Sequence, residues 1–274
     1  MICDKMIKIG YICREENKMK LLATDYDGTL KYAQKVMEED IEAIQKWKQE
    51  GNLFVIVTGR SLESISMEIE KYNLPCDFIV SNNGGMVFDA KEKELMSNYL
   101  DYSTCLDIIQ EIKKMEHVAS YVVNDGIHRH KVVVNAEETE QRYPTLQPDM
   151  SEAEVLDSGK FAQIVVSMAT LDSALHVAEQ INQNFSTNVV AYANNFAVDV
   201  VPKGISKATG LDFVVEYAAA DETEVYSIGD AHNDIPMIEY GIHGCAMEMA
   251  ADDVKQFATN VYASVHDLIC DVLD

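Results

Sequence analysis

The chain has 274 residues, of which 22 are basic and 46 acidic, so its formal net charge at pH 7 is −24. Phosphate backbones and anionic lipid repel a chain this acidic, which disfavours nucleic-acid and membrane-surface partners. Apolar residues make up 47% of the sequence, and no apolar run approaches the ~18 residues of a membrane span, so we expect a globular protein of one large or two modest domains.

The first 18 residues lack the apolar core of a signal peptide, because charged residues interrupt them. We interpret them as a peripheral extension ahead of the first strand. The six cysteines form no C-x-x-C pair and have no zinc-finger spacing. This pattern is typical of reduced thiols in a reducing compartment and predicts a cytoplasmic protein.

Strands and helices alternate in the first third of the chain. A short apolar run at 20–24 precedes a helix over about 38–50, and residues 53–57 have the continuous apolar character of a strand buried on both faces. A second helix begins near Leu62, and residues 77–80 form a third strand. The alternation predicts an α/β protein with a doubly wound, Rossmann-like parallel sheet.

Hairpin signals replace this alternation near residue 90. Two strands flank Asn124-Asp125-Gly126, and two more are expected within 188–201. After residue 199 the α/β pattern returns. We therefore predict a discontinuous core domain, an inserted α+β cap domain and an N-terminal extension, with the bounds 19–86 plus 199–274, 87–198 and 1–18.

Two carboxylates stand two positions apart directly after the first strand, at Asp25 and Asp27. A calcium loop would need glycine at its sixth position and a carboxylate at its twelfth, but counting from Asp25 these positions hold Leu30 and Val36. An acidic turn and a reacting pair remain as alternatives. In a reacting pair, Asp25 would attack phosphorus and Asp27 would protonate the leaving oxygen.

A second cluster, Thr58-Gly59-Arg60, ends the most strand-like run of the chain. Its hydroxyl and backbone N–H groups stand at a helix start, which is suited to gripping a phosphate. A lysine near the start of the helix after Ser206 would add positive charge to such a site. Lys207 and Lys203 are competing candidates for that role.

A further cluster, Gly229-Asp230-x-x-Asn233-Asp234, adds two carboxylates after another strand, and hard oxygen ligands of this kind suit Mg²⁺. Four carboxylates at neighbouring strand ends would repel one another and raise one another's pKa values. A divalent cation removes that repulsion and screens an incoming phosphate group. The clusters together therefore imply a metal and an anionic substrate.

The order of these motifs resembles that of the haloacid dehalogenase (HAD) superfamily, and their details resemble its Cof-type branch, subclass IIB. The resemblance covers about 19–250. It rests on the segments Asp25-Tyr-Asp27-Gly-Thr29, Ile56-Val-Thr58-Gly-Arg60, Asn83-Gly84, Gly204-Ile-Ser-Lys207 and Gly229-Asp-Ala-His-Asn-Asp-Ile-Pro-Met237. It implies a Rossmann-like core with a large C2B-type cap inserted between the second and third motifs.

The resemblance also implies a role for each motif residue. Asp25 matches the nucleophile, and Asp27 matches an acid/base whose backbone carbonyl also binds Mg²⁺. Asn233 and Asp234 match residues that orient Lys207 and complete the metal shell. The implied catalytic residues are Asp25, Asp27, Thr58 and Lys207. The implied substrate-binding residues are Thr58, Gly59, Arg60, Asn83, Lys207 and Asn233. The implied metal ligands are Asp25, Asp27, Asp230 and Asp234.

The predicted function is that of a Mg²⁺-dependent phosphatase, which hydrolyses a small phosphorylated metabolite such as a sugar phosphate through an aspartyl phosphate. A sugar phosphomutase with the same first step and a non-catalytic phosphometabolite-binding protein are the alternatives. Family members often read Ala-Met-Gly-Asn-Ala where this chain has Glu248 and Met249 within residues 246–250. We expect this departure to affect the choice of substrate and the rate, and to leave the residues of phosphoryl transfer intact.

Overall fold

The computed structural model describes residues 18–274, so the expected extension lies outside the described residues except for Lys18. The strands of this part are β1 (Leu21–Thr24), β2 (Lys31–Tyr32), β3 (Lys35–Val36), β4 (Leu53–Val57), β5 (Phe78–Ser81), β6 (Met86–Asp89), β7 (Glu94–Ser97), β8 (Val118–Asn124), β9 (Arg129–Val133), β10 (Gln163–Met168), β11 (Val189–Asn194), β12 (Ala197–Pro202), β13 (Val225–Gly229), β14 (His243–Met247) and β15 (Asn260–Tyr262). The α-helices are α1 (Glu38–Gln49), α2 (Leu62–Tyr72), α3 (Tyr102–Ile112), α4 (Glu152–Asp157), α5 (Leu171–Phe185), α6 (Lys207–Tyr217), α7 (Ile235–Ile238), α8 (Asp252–Lys255) and α9 (Val265–Leu273).

Eight strands form the larger sheet, in the spatial order β15-β14-β13-β1-β4-β5-β6-β7. The strands from β15 to β5 are parallel, and β6 and β7 extend one edge with antiparallel pairing. Alternate residues of the central strands enter hydrophobic clusters on opposite faces, with Leu22 and Ile56 in one cluster and Ala23 and Val55 in the other. This burial on both faces explains the continuous apolar runs and confirms the predicted Rossmann-like α/β architecture.

Five antiparallel strands form the smaller sheet, in the order β11-β12-β10-β8-β9. One face packs on α3 and α5, where Ile108 and Ile181 meet Tyr121 in a single hydrophobic cluster. On the other face Val122, Val165 and Ala197 form a small cluster that the loop residues Tyr143 and Leu146 pack against. Helices on one face are typical of an antiparallel sheet and leave the second face available to line a cavity.

The boundaries of the inserted segment differ from those that the sequence predicts. All of β7 and all of β6 except Met86 fall within the segment 87–198, yet both strands pair with the larger sheet, while β12 of the smaller sheet continues to Pro202. A hairpin at the edge of a parallel sheet has the same sequence signature as the strands of an antiparallel module, so the change in pattern at residue 87 does not show which sheet these strands join. The division into core and cap domains itself stays a prediction.

Gly84 positions the start of α6 against the turn after β5. Its φ is +98°, and a Cβ at this residue would lie 1.8 Å from the carbonyl oxygen of Ser206. Glycine adopts this backbone conformation without strain and permits the close approach. Ser206 in turn caps α6 by accepting a hydrogen bond from the N–H of Thr209, so Lys207 is the first residue of the helix.

No helix within residues 18–274 is both long and apolar enough to cross a membrane. The cysteines of the described part are free thiols at Cys76, Cys105, Cys245 and Cys270.

Candidate active site

The site lies at the carboxyl ends of four neighbouring parallel strands. Asp25 and Asp27 follow β1, Thr58 follows β4, Asn83 lies just after β5, and Asp230 follows β13. Because these strands are adjacent and parallel, their carboxyl ends meet at one edge of the sheet, where α/β folds bind ligands. The topology therefore brings together residues that are separated by up to 205 positions in the sequence.

Lys207 joins two carboxylates at the buried centre of this edge. Its Nζ lies 2.5 Å from Oδ1 of Asp25 and 2.5 Å from Oδ1 of Asp234, and the residue is 1% exposed. The competing candidate, Lys203, is exposed to solvent. Of the two lysines, Lys207 is therefore the one that contacts the carboxylates.

Asp234 fixes both Lys207 and the loop after β13. Its Oδ2 accepts hydrogen bonds from the backbone N–H groups of Asp230, at 3.0 Å, and Ala231, at 2.9 Å. Its other oxygen contacts Lys207. Both oxygens of Asp234 therefore have partners within the protein, which suits a residue that positions its neighbours.

Asp25, Asp230 and Asp234 form a group of oxygen donors that fits a divalent cation. One carboxylate oxygen of each lies within 4.8 Å of the others, and Lys207 is the cation that contacts two of them. Thr29 donates a hydrogen bond to Oδ1 of Asp230 at 2.8 Å. Carboxylate oxygens are hard ligands of the kind that Mg²⁺ prefers, so the donor set agrees with the expected metal.

The electrostatics of the group also favour a further positive charge. Burial raises the pKa of Asp25 well above its ordinary value, although the Lys207 ammonium opposes the shift. Burial likewise raises the pKa of Asp230, with Asp234 adding to the effect. Burial disfavours the charged form of Lys207, but the adjacent carboxylates outweigh it and raise its pKa. One ammonium thus leaves the carboxylates incompletely neutralised, and a bound divalent cation would complete the neutralisation.

The carboxylate of Asp27 points away from this group and pairs with Arg60. The Nε of Arg60 lies 2.6 Å from Oδ2 of Asp27, and a terminal nitrogen lies 2.7 Å from Oδ1. The Arg60 guanidinium also lies 5.0 Å from the ring centroid of Tyr26. The Asp27 side chain, 44% exposed, therefore borders the solvent-filled part of the site and leaves only its backbone carbonyl for the expected contact with a metal.

The remaining predicted residues surround Asn83. Its Oδ1 accepts a hydrogen bond from Asn233 at 3.0 Å, and its Nδ2 lies 3.4 Å from Oδ2 of Asp199 on β12. A Cβ on Gly59 would lie 3.1 Å from the Asn83 amide, so this residue also approaches closely. Thr58 is buried, and its hydroxyl accepts the N–H of Arg60 at 3.2 Å.

The resemblance implied that Asn233 helps to orient Lys207. In the structure Asn233 contacts Asn83, and of the two residues in that motif Asp234 is the one that contacts Lys207. Asn83 therefore links the motif after β13 to the smaller sheet, because its amide also reaches Asp199.

Two cavities meet at Asp27. A cavity of 110 Å³ is lined by Asp25, Thr58 and Asp230 among others, and a cavity of 820 Å³ continues toward the smaller sheet. Both are lined by Asp27, Gly59, Arg60 and Arg142. A small ligand that reaches Asp25 can therefore extend past Asp27 into the larger space. Met249 lines the larger cavity, which places one of the two unusual residues of segment 246–250 beside it.

Sequence reasoning missed the cavity residues that come from the smaller sheet and its loops. Arg129, Arg142 and Tyr143 line the larger cavity, together with Lys31 from the larger sheet's side. No motif contains them, so their placement depends on how the two sheets approach each other. The scarcity of arginine, with four in 274 residues, is the sequence signal that could have drawn attention to two of them.

Comparisons with known proteins point to one family. A model of the haloacid dehalogenase-like hydrolases matches residues 22–268. The 5-amino-6-(5-phospho-D-ribitylamino)uracil phosphatase YitU of Bacillus subtilis is 29% identical over 261 residues, which cover 91% of this chain and 94% of that protein.

Solved structures share the fold at lower identity. A HAD/COF-like hydrolase from Plasmodium vivax superposes with a TM-score of 0.81 at 22% identity, over 95% of this chain and 97% of that chain. The HAD subclass IIB sugar phosphatase BT4131 superposes with a TM-score of 0.76 at 20% identity, over 93% of this chain and 97% of that one.

Proposed function

The chain belongs to the haloacid dehalogenase-like hydrolases of the Cof type and is a phosphatase, and from this premise we propose that it hydrolyses a small phosphorylated metabolite with Mg²⁺ through an aspartyl phosphate. The observation that carries the proposal is the buried contact of Lys207 with Asp25 and Asp234 beside the 110 Å³ cavity.

Asp25 is the proposed nucleophile. Lys207 contacts its Oδ1, which fixes the orientation of the carboxylate toward the cavity. In the first step a carboxylate oxygen forms a bond to phosphorus, and the bond between phosphorus and the ester oxygen breaks. Lys207 and Thr58 hold the phosphoryl oxygens during the transfer, so the groups that stabilise charge are in place beforehand.

Asp25, Asp230 and the backbone carbonyl of Asp27 are the proposed ligands of Mg²⁺, with Asp234 completing the shell. The bound ion would neutralise the carboxylate group and screen the charge of the phosphoryl oxygens. The protein's own part is to hold these oxygens close together, which Thr29 and the loop after β13 do through their contacts with Asp230 and Asp234.

Asp27 is the proposed acid and base. In the first step it gives a proton to the leaving ester oxygen, and in the second it takes a proton from the water that attacks phosphorus. That attack breaks the bond between Asp25 and phosphorus and releases inorganic phosphate. Arg60 holds the Asp27 carboxylate where the two cavities meet, beside the expected position of the leaving group. One of the two contacts with Arg60 must open when Asp27 takes up the proton that it donates in the first step, because the protonated oxygen is a donor.

Exchange of Asp27 for Asn is expected to lower steady-state phosphate release about 10²–10⁴-fold, because neither proton transfer then has a partner. With p-nitrophenyl phosphate the first step should survive, since p-nitrophenolate leaves without a proton. Stopped-flow absorbance should therefore show a burst of one p-nitrophenolate per chain followed by slow turnover.

The Arg60→Gln variant is the matched control for this prediction. It removes the ion pair but keeps the acid, so it should retain proton transfer and show no such burst. If the Asp27→Asn protein shows no burst, so that its first step is slowed as much as its steady-state turnover, the assigned role is contradicted.

The test of the proposed function is phosphate release from a panel of phosphorylated metabolites, measured with Mg²⁺ and with EDTA. We expect release that EDTA abolishes and excess Mg²⁺ restores, together with a rise in melting temperature on addition of Mg²⁺. The Asp230→Asn variant should lose that rise, whereas Asp253→Asn, a change at an exposed carboxylate outside the group, should keep it. Release that persists in EDTA would refute the metal dependence. Isomerised sugar phosphate without free phosphate would identify a mutase instead.

A further inference from the structure

The larger cavity gathers arginines from a chain that contains few of them. Four arginines occur in 274 residues, and the three within the described part, Arg60, Arg129 and Arg142, all line the 820 Å³ cavity. They come from three separate segments, namely the turn after β4, strand β9 and the loop between β9 and α4. The fold, and not one local sequence motif, therefore brings these three arginines to the same cavity.

Two of these arginines differ from Arg60 in forming no direct ion pair within the described part of the chain. Arg60 pairs with Asp27, and the neighbouring Lys31 pairs with Glu68 at 2.9 Å. Within residues 18–274, Arg129 and Arg142 form no ion pair with a carboxylate, and the buried Nε of Arg129 has no hydrogen-bond acceptor. Arg142 instead lies 5.7 Å from the ring centroid of Tyr143, and the charge of Asp199 favours its charged form without a direct contact. The cavity thus presents two guanidinium groups that no carboxylate contacts directly, in a chain whose net charge is −24.

The loop that carries Arg142 is anchored to the smaller sheet. Glu140 accepts the backbone N–H groups of Arg142, at 3.1 Å, and Tyr143, at 2.9 Å, and it pairs with Lys131 on β9 at 3.1 Å. Lys131 also donates to the carbonyl oxygen of Tyr143 at 2.8 Å. The anchor fixes the backbone at Arg142 beside the cavity before any ligand arrives, which lowers the cost of binding.

Arg129 reaches the cavity from the face of the smaller sheet that also carries Lys131, two residues further along β9. It pairs in register with Asn124 on β8, and both residues line the cavity. An orphaned buried donor costs free energy, because it has lost water without gaining an acceptor. A ligand oxygen would supply the missing acceptor.

We infer that Arg129 and Arg142 bind a second oxyanion of the substrate in the larger cavity, a carboxylate or a phosphate distinct from the phosphoryl group that reaches Asp25. Guanidinium groups bind carboxylates and phosphates through paired hydrogen bonds, which lysine cannot reproduce. The inference rests on the proposed function, and it narrows the substrate class to phosphate esters with two anionic groups. An uncharged substrate would leave both guanidinium groups without a partner.

The test compares substrates of one carbon skeleton that differ by an oxyanion. The pairs are glucose 6-phosphate with 6-phosphogluconate, for a carboxylate, and fructose 6-phosphate with fructose 1,6-bisphosphate, for a phosphate. We expect kcat/KM to favour the doubly anionic member of at least one pair about 10-fold or more, and the favoured pair identifies the oxyanion.

Arg129→Gln and Arg142→Gln should each reduce this preference by about 10-fold, which corresponds to the low end of the range for hydrogen bonds to charged groups. Lys160→Gln is the matched control, because it removes the same charge from an exposed position in the inserted segment. It should leave the preference unchanged.

A binding measurement separates this inference from the proposed function. Calorimetry on the Asp25→Asn protein should show tighter binding of the doubly anionic compound, and Arg129→Gln in that background should remove the difference. Phosphate release without any preference for a second oxyanion, or a preference that survives both arginine variants, would overturn the inference and leave the phosphatase proposal intact. Preferential binding by a protein that releases no phosphate would support the inference and overturn the proposed function.

Discussion

Exchange of Asp25 for Asn is expected to abolish phosphate release, with a loss of about 10⁴-fold or more, because an amide cannot attack phosphorus. The fold should survive, since the amide has nearly the same shape as the carboxylate that it replaces. Burial raises the pKa of Asp25, so the folded protein disfavours its charged form at neutral pH. In the absence of metal we therefore expect the variant to melt at the same temperature as the wild type or higher.

Rapid chemical quenching provides a direct readout of the same step. The wild-type protein should carry up to one covalently bound phosphoryl group per chain during turnover, and the Asp25→Asn protein should carry none. Circular dichroism of the variant separates lost chemistry from lost structure. Undiminished turnover in a folded Asp25→Asn protein would exclude an aspartyl phosphate at this residue.

Exchange of Lys207 for Met should lower the free energy of unfolding of the protein and stop turnover. The ammonium contacts Asp25 and Asp234 at 2.5 Å each, and the side chain is almost completely buried. Its removal leaves buried carboxylates without their cation, which typically costs about 3–5 kcal/mol in the free energy of unfolding. Denaturant titration in EDTA measures that cost without a contribution from bound metal.

Lys203→Met is the matched control, because Lys203 lies four residues earlier and is exposed. Its free energy of unfolding should stay within about 0.5 kcal/mol of the wild type. Adding Asp234→Asn to the Lys207→Met protein should recover part of the lost stability but none of the activity, since it removes one of the stranded charges. Unchanged stability in the single Lys207→Met variant would mean that the carboxylates are neutralised in another way.

Residues at the ends of strands could be placed from the sequence because two simple patterns coincide there. Continuous apolar runs predict the central parallel strands, and the topology of such sheets brings Asp25, Thr58 and Asp230 to one edge. The capping pattern at Ser206 likewise predicts the start of the helix that carries Lys207. Each of these inferences depends on local sequence plus one rule about parallel sheets.

Side-chain pairings within the site and contacts between the two sheets could not be predicted in this way. The pairing of Asp27 with Arg60 depends on side-chain directions at two strand ends, and the approach of Arg129 to the cavity depends on how the smaller sheet sits over the larger one. The sheet that the hairpin of β6 and β7 joins could not be predicted for a related reason. Its residues have an ordinary strand pattern, and only tertiary pairing decides which sheet they join.

The distribution of the site over two sheets also bears on how such a protein can diversify in evolution. The groups proposed to react stand on strand ends of the larger sheet and on α6, whereas Arg129 and Arg142 belong to the smaller sheet and its loop. Substitutions at distant, independent positions have nearly additive effects, so inherited changes around Arg129 can alter the preferred ligand without disabling Asp25. The contact between Asn83 and Asp199 joins the two sheets, so substitutions at these two residues are expected to have effects that are not additive.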